Sequence, residues 1–155
     1  MNNKVAILLG SKTDLPLIEP SIPYYEHFGI EVEIHVMSAH RNPKDVAKFA
    51  SKARENGYGI LVGSAGMSAH LAGALKAHST LPVLGIPLPG GMMDGLDSLM
   101  STFNMPKGVP VATVSMGKAG AINAAVLCAE IFSLVDGEIV QKLSKFKDSG
   151  CTIAK

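Results

Sequence analysis

The sequence predicts an α/β protein in which a parallel sheet of about five strands is covered by helices on both faces. Short apolar runs alternate with longer segments of helical periodicity, a pattern typical of parallel strands joined by crossover helices. Several of the apolar runs are nearly continuous, as expected of strands that are buried on both faces. The 155 residues are enough for one hydrophobic core.

Five apolar runs are predicted to be strands, and five longer segments are predicted to be helices. The strands lie at residues 5–9, 32–36, 60–62, 83–86 and 111–114, and the helices at 14–28, 43–56, 69–78, 94–103 and 118–134. Asn42 followed by Pro43 is a favourable helix start, and Gly57 is a favourable stop. Pro20 and Pro23 fall inside the first helical segment, where each removes a backbone donor, so we expect that helix to be kinked or to begin later.

One domain is expected to span residues 1–155, with a core at about 4–135 and a helical tail at 136–155 that includes a short polar helix. The segment 118–134 is apolar nearly all round, so it is expected to be deeply buried or packed between subunits. With 47% hydrophobic and 17% charged residues, the sequence also favours apolar surface buried between subunits. The residues expected to let neighbouring subunits approach closely are Gly117, Ala119, Gly120 and Ala121.

Composition excludes several classes of protein. The net charge of +1 argues against a basic nucleic-acid module and against binding to an anionic membrane. No apolar stretch approaches the ~20 residues needed to span a bilayer. Cys128 and Cys151 lack the spacing of a metal site, and Cys128 is expected to be a small core residue. The sequence opens on a strand rather than on a signal peptide, so a reduced cytoplasmic protein is expected.

Three loops that follow strands are rich in small and polar residues. They are Gly10–Asp14, Ser38–Pro43 and Gly63–His70. The carboxyl ends of parallel strands meet at one edge of the sheet, and ligands bind there in open α/β folds. Each loop precedes a predicted helix, whose free N–H groups and positive dipole end favour an anion. The hydroxyls that could add donors belong to Ser11, Thr13, Ser38, Ser64 and Ser68. The loops therefore predict a site for a phosphorylated small molecule.

Other interpretations of the first loop remain open. Gly-Ser-Lys-Thr resembles half of a P-loop, but the upstream glycine spacing is absent, so a nucleoside triphosphatase is rejected. Ser11 and Thr13 are equally compatible with a helix-capping role. Asp14 fits either a cap or a carboxylate that accepts hydrogen bonds from the two hydroxyls of a ribose.

Two of the five histidines stand out by their position. His27, His35 and His78 fall on predicted helix or strand faces, where surface or packing roles are usual. His40 and His70 fall in small-residue loops at the same edge of the sheet. Two converging histidines there are as compatible with acid–base chemistry as with a structural role, and position alone leaves both open.

The ordered set of motifs resembles the N5-carboxyaminoimidazole ribonucleotide mutase family of purine biosynthesis, also called PurE, and in particular its class I. The resemblance covers residues 4–135 approximately. Its motifs are Gly10–Asp14, Ser38–Pro43, Glu55–Tyr58, Ala69–Leu71, Gly95–Leu99, Met105–Val111, Gly117–Ala121 and Asn123–Ala125.

The resemblance implies a three-layer α/β/α, flavodoxin-like fold, a homo-octamer, and no metal or organic cofactor. It implies a mutase that converts N5-carboxyaminoimidazole ribonucleotide to 4-carboxy-5-aminoimidazole ribonucleotide in IMP synthesis, by loss and recapture of carbon dioxide. It assigns His40 as the proton carrier, with His70 as a second catalytic residue, and Arg41 as the phosphate ligand. The substrate-binding residues that it implies are Ser11, Asp14, Ser38, Ala39, Arg41, Ser64, Ala65, Gly66 and Leu71.

Two loops depart from the usual family pattern. Gly66–Gly73 lacks the usual Gly-Gly-Ala-Ala-His-Leu-Pro-Gly, and Leu88–Asp94 lacks the usual Gln-Ser. Both loops are expected to border the pocket.

Two other functions remain open. The first is a carboxylase that uses carbon dioxide directly, a branch that usually has lysine at the Arg41 position and lacks the histidine at His70. The second is a non-catalytic flavodoxin-like module that binds a phosphorylated ligand or a protein partner.

Overall fold

Five parallel strands form the centre of the protein, and all five were predicted. In the computed structural model, which describes residues 3–153, they are β1 (Lys4–Leu9), β2 (Glu31–Val36), β3 (Ile60–Ala65), β4 (Val83–Pro87) and β5 (Ala112–Thr113). Their order in the sheet is β2-β1-β3-β4-β5, and every pair is parallel. The strand order therefore reverses between β1 and β3, where open α/β sheets bind their ligands.

Seven α-helices connect or follow the strands within the described residues. They are α1 (Leu15–Ile18), α2 (Ile22–Phe28), α3 (Pro43–Lys52), α4 (Leu71–His78), α5 (Leu96–Phe103), α6 (Gly117–Ser133) and α7 (Gly137–Asp148). The helix predicted at 14–28 is broken by a 3-10 turn, Glu19–Ser21, that contains Pro20. Pro23 lies in the first turn of α2, where its missing N–H has no intrahelical partner to lose. The expected interruption by these prolines is confirmed.

Two hydrophobic clusters lie on opposite faces of the sheet, as the three-layer fold requires. The cluster with Tyr25, Phe28 and Phe132 joins the sheet to α1, α2, α6 and α7. The other cluster joins the sheet to α3 and α4 through Val46 and Leu75. No helix in residues 3–153 is long and apolar enough to cross a membrane.

The last helix, α7, belongs to the core rather than to a polar tail. Its residues Ile139, Leu143 and Phe146 are buried in the larger cluster. The ring of Phe146 meets that of Phe28 edge to face, with centroids 5.4 Å apart. The predicted core, which ended near residue 135, was too short, because the alternating charges of this segment hid an apolar stripe.

A close contact between β3 and α4 fixes the start of α4 at the sheet edge. A Cβ on Gly63 would lie 2.6 Å from the Cα of Ala72, so only glycine lets the two backbones approach this closely. Contacts within the chain also correct an expectation about α6. Gly117, Gly120 and Ala121 are buried against this chain's own residues, so of the small residues predicted at a subunit contact only Ala119 is exposed.

An ionic cluster lies on β2 at the edge of the sheet. The Lys4 ammonium approaches the Glu33 carboxylate to 2.7 Å, and the Tyr58 hydroxyl donates to the same carboxylate. The hydrogen bond with Lys4, which has the larger effect, and the one with Tyr58 lower the pKa of Glu33 to about 2. Burial and the neighbouring Glu33 raise the pKa of Tyr58 to about 12. This edge of the sheet is thus covered by charged side chains, as is common for exposed edge strands.

Candidate active site

A cavity of about 550 Å³ opens at the carboxyl edge of the sheet, beside the switch point between β1 and β3. Residues from four loops line it, namely 10–14, 38–41, 65–71 and 88–91. The first three loops are those that the sequence predicted. The fourth follows β4 and was expected to border the pocket from the family resemblance, although its residues depart from the family pattern.

All the predicted site residues except Ser64 line this cavity. Ser64 is fully buried, and its Oγ has no hydrogen-bond partner among the described residues. The sequence placed Ser64 in a loop, but β3 continues to Ala65. Because side chains alternate along a strand, Ser64 faces the same side as Ile60 and Val62, towards the larger core cluster. The Ser64 carbonyl accepts a hydrogen bond from the N–H of Gly10, at 3.1 Å. Ser64 thus contacts the first loop through its backbone and not through its side chain.

His40 and His70 meet directly at the wall of the cavity. His40 Nε2 lies 2.8 Å from His70 Nδ1, and the two rings are nearly perpendicular, with centroids 5.0 Å apart. Both side chains are exposed, so solvent and ligands can reach them. His40 precedes α3, and His70 is the N-cap residue directly before α4. One ring must donate and the other accept, and the tautomers decide which.

Arg41 spans the first two loops. Its Nη2 donates to the carbonyl of Gly10 at 3.2 Å, and its own N–H donates to Ser38 Oγ at 3.2 Å. The guanidinium is exposed, so the rest of its donors face the cavity and solvent. A planar fork with several free donors is well suited to a phosphate.

Ser11 and Asp14 cap the 3-10 turn Lys12–Asp14, which answers one question that the sequence left open. Ser11 Oγ accepts the N–H of Thr13 at 3.3 Å, and the Asp14 carboxylate accepts the N–H of Ser11 at 3.1 Å. Partial burial raises the pKa of Asp14. Hydrogen bonds from Ser11 and Thr13 and the charge of Arg41 act in the opposite direction but are weaker. Both residues also line the cavity, so a cap and a ligand contact are compatible.

The loop after β4 brings residues that sequence reasoning did not assign. Leu88, Pro89, Gly90 and Gly91 line the cavity, whereas Met92 and Met93 are exposed beyond it. Carboxylates of neighbouring residues hold the loop: Gly90 N–H donates to Asp94 at 3.2 Å, and Met92 N–H donates to Asp97 at 3.0 Å. The loop is apolar and glycine-rich, so no polar side chain marked it. The cavity is also lined by Gly10 and Met67, which were not assigned, and by Thr13 and Ser68, which the sequence predicted only as possible hydroxyl donors.

A parallel sheet with this strand order and a cavity at its switch point defines a flavodoxin-like α/β protein, a fold that binds ligands at this position. Within residues 3–153, no cluster of three or more His, Cys, Asp or Glu side chains is arranged to hold a metal ion. A family model described as AIR carboxylase matches residues 4–151. The chain belongs to the AIR carboxylase family.

Named relatives agree with this assignment. The chain is 43% identical to the N5-carboxyaminoimidazole ribonucleotide mutase of Vibrio vulnificus, over 93% of this chain and 89% of the relative. It is 41% identical to the enzyme of the same name from Escherichia coli K12, over 93% of this chain and 85% of the relative. The crystal structure of Treponema denticola PurE superimposes with a TM-score of 0.86 at 30% identity, and the match covers 96% of this chain and 91% of that one.

Proposed function

We propose that this protein is an N5-carboxyaminoimidazole ribonucleotide mutase of purine biosynthesis. The observation that carries the proposal is the His40–His70 contact of 2.8 Å at the wall of the cavity, next to the exposed guanidinium of Arg41. Acid–base groups and a phosphate ligand thus share one pocket. The names of the relatives support the same reaction.

The reaction needs one proton carrier and no net proton. The bond between the exocyclic nitrogen and the carboxyl carbon breaks, carbon dioxide leaves, and the nitrogen gains one proton. The neighbouring ring carbon then attacks the carbon dioxide and loses one proton. A single imidazole can give the first proton and collect the second. We assign this role to His40.

His70 would act as the partner that orients His40. Only one proton fits between two nitrogens 2.8 Å apart, so the state of His70 Nδ1 decides whether His40 Nε2 carries a proton. Because Nε2 is engaged with His70, Nδ1 is the nitrogen of His40 left to exchange a proton with the substrate, and the tautomer decides whether a neutral His40 carries a proton there.

The remaining lining residues would hold the ribonucleotide and retain carbon dioxide. Arg41 and Ser38 supply donors for the phosphate, and Asp14 has a carboxylate oxygen beyond the Ser11 bond for the ribose hydroxyls. Leu71 and Leu88 contribute apolar walls, which limit the water that could carry carbon dioxide away. The small residues Ala39, Ala65 and Gly66 leave room for the imidazole ring. Ser64 enters this proposal only through its backbone.

The protein is further inferred to self-associate, with the octamer of the family as the expected assembly. Exposed apolar side chains support this: Met93 is 80% exposed, Met92 is 73% exposed and Phe103 is 64% exposed. They lie on and beside α5, next to the cavity loop that follows β4. A closed symmetric assembly would cover such a surface. A cytoplasmic location belongs to the same proposal, because a phosphorylated ribonucleotide does not cross a membrane unaided.

An assay with both candidate substrates tests the proposal. The family description names a carboxylase, whereas the relatives are named mutases, so the direct carboxylase is the second candidate. The purified protein should convert the carbamate without added bicarbonate, because the carboxyl group travels with the substrate. Turnover that requires aminoimidazole ribonucleotide and bicarbonate would replace the mutase with the carboxylase. Saturable binding without product from either substrate would leave a binding module.

A further inference from the structure

Helix α5 contributes no residue to the cavity lining among the described residues, yet it holds two of the loops that do. Ser98 Oγ donates to the carbonyl of Leu88 at 2.7 Å, which ties down the loop after β4. One turn further along, Ser101 Oγ accepts the N–H of Ala69 at 2.9 Å, which ties down the loop after β3. The same hydroxyl donates to the carbonyl of Asp97 at 2.7 Å, within its own helix. Its one hydrogen is therefore engaged, and its lone pair is aimed at Ala69.

The backbone that Ser101 holds is a tight turn that needs support. Met67 has φ +52°, a left-handed conformation that costs free energy in a residue with a side chain. Ala69 is 2% exposed, so its N–H cannot turn to water. That N–H also faces the carbonyl of Met67, only two residues back, where a hydrogen bond is necessarily bent. The bond to Ser101 is the contact that ties Ala69 to another element.

His70 follows Ala69 directly, so the position of its ring depends on this turn. Its Nδ1 must stay within hydrogen-bond distance of His40 Nε2, and a shift of 1 Å from 2.8 Å would break that bond. We propose that Ser101 is a positioning residue, which acts through Ala69 on His70 and through His70 on the proton carrier His40. The kinetic part of this inference rests on the proposed mutase function, whereas the structural part does not.

The test replaces Ser101 with Ala and with Thr, and uses Ser133→Ala as the matched control. Ser133 is also a helical serine whose Oγ donates to a carbonyl of its own helix, at 2.7 Å, but it lies at the end of α6. We expect Ser101→Ala to lower kcat about 10–100-fold with KM within threefold, because misplacement of a reacting group costs rate more than binding. Ser101→Thr keeps the hydroxyl and should recover most of the rate. Ser133→Ala should match the wild type.

A second readout does not depend on turnover. Long-range proton–nitrogen correlation spectra of protein labelled with nitrogen-15 histidine report which ring nitrogen of His40 and of His70 carries the proton. One fixed tautomer for each ring is expected in the wild type and in Ser101→Thr, and a mixture is expected in Ser101→Ala. Thermal melts of all variants check that the fold persists.

The outcomes separate the two proposals. Wild-type tautomers together with a wild-type kcat in Ser101→Ala would overturn the positioning role. A loss that Ser101→Thr does not recover, with melting temperatures lowered alike in both variants, would also overturn it and make Ser101 a purely structural residue. If the wild type shows no mutase activity, the proposed function fails, and the histidine spectra still decide whether Ser101 positions His70.

Discussion

Replacement of His40 by Asn separates catalysis from stability, because His40 is exposed and its ring contacts only one hydrogen-bonding partner, His70, among the described residues. Loss of a general acid–base group lowers the rate about 10²–10⁴-fold, which corresponds to ~3–5 kcal/mol of transition-state stabilisation. The free energy of unfolding should change by less than about 0.5 kcal/mol, as for other exposed sites. A change of that size shifts the melting temperature of a 155-residue protein by about 2 °C at most.

The assay follows disappearance of the carbamate substrate at saturating concentration, with a thermal melt of each variant and calorimetric titration with the product. Product affinity should stay within about threefold of the wild type, because Arg41, Asp14 and Ser11 are untouched. His78→Asn is the control, since His78 is an exposed histidine at the end of α4 and outside the cavity lining. A folded His40→Asn variant with a rate within tenfold of the wild type would refute the assignment of the proton carrier.

Two further substitutions and one measurement of assembly test other parts of the molecule. Arg41→Lys keeps the charge but loses the planar fork, so KM should rise about tenfold with kcat less affected, and an unchanged KM would remove Arg41 from the phosphate site. Glu33→Gln should lower the melting temperature at pH 7. The loss in the free energy of unfolding should be at most about 1 kcal/mol, because Glu33 is partly exposed. The pKa of Glu33 in the folded protein, about 2, lies below its ordinary value of 4.5. The difference in stability between the wild type and the variant should therefore be complete above pH 4.5 and disappear as the pH falls towards 2. A difference that does not depend on pH would contradict its ionic origin. Light scattering should show a stable oligomer at micromolar concentration, and a monomer would exclude the exposed methionine surface as a subunit contact.

The sequence predicted the sheet well because buried parallel strands are continuous apolar runs, and such runs are the strongest local signal. Helix boundaries were less accurate. The segment predicted to start at residue 94 begins its helix at Leu96, because Met93 and Asp94 adopt positive φ and are not helical. Aspartate adopts positive φ more often than most residues, but nothing in the sequence marks Met93 for that conformation.

The candidate site was predicted partly through topology and partly through the family resemblance. The rule that loops at the carboxyl edge of a parallel sheet bind the ligand brought together Ser11, Ser38 and the two histidines, whereas the role of Arg41 came only from the resemblance. The same rule misplaced Ser64, because the sequence could not show that β3 extends two residues beyond Gly63. Ser101 was missed for a different reason. It acts from a helix that follows another strand, and a contact between distant elements leaves no local pattern.

The burial of α7 sets the order in which this chain can complete its structure. Synthesis proceeds from the amino end, so α2 emerges long before Phe146, against which Phe28 packs. Until α7 docks, the Phe28 ring lacks its edge-to-face partner Phe146 and is more open to water and to other growing chains. Such distant contacts slow folding, because the long loop must close before they form. A bulky fusion joined directly after Asp148, the last residue of α7, would hinder this last step.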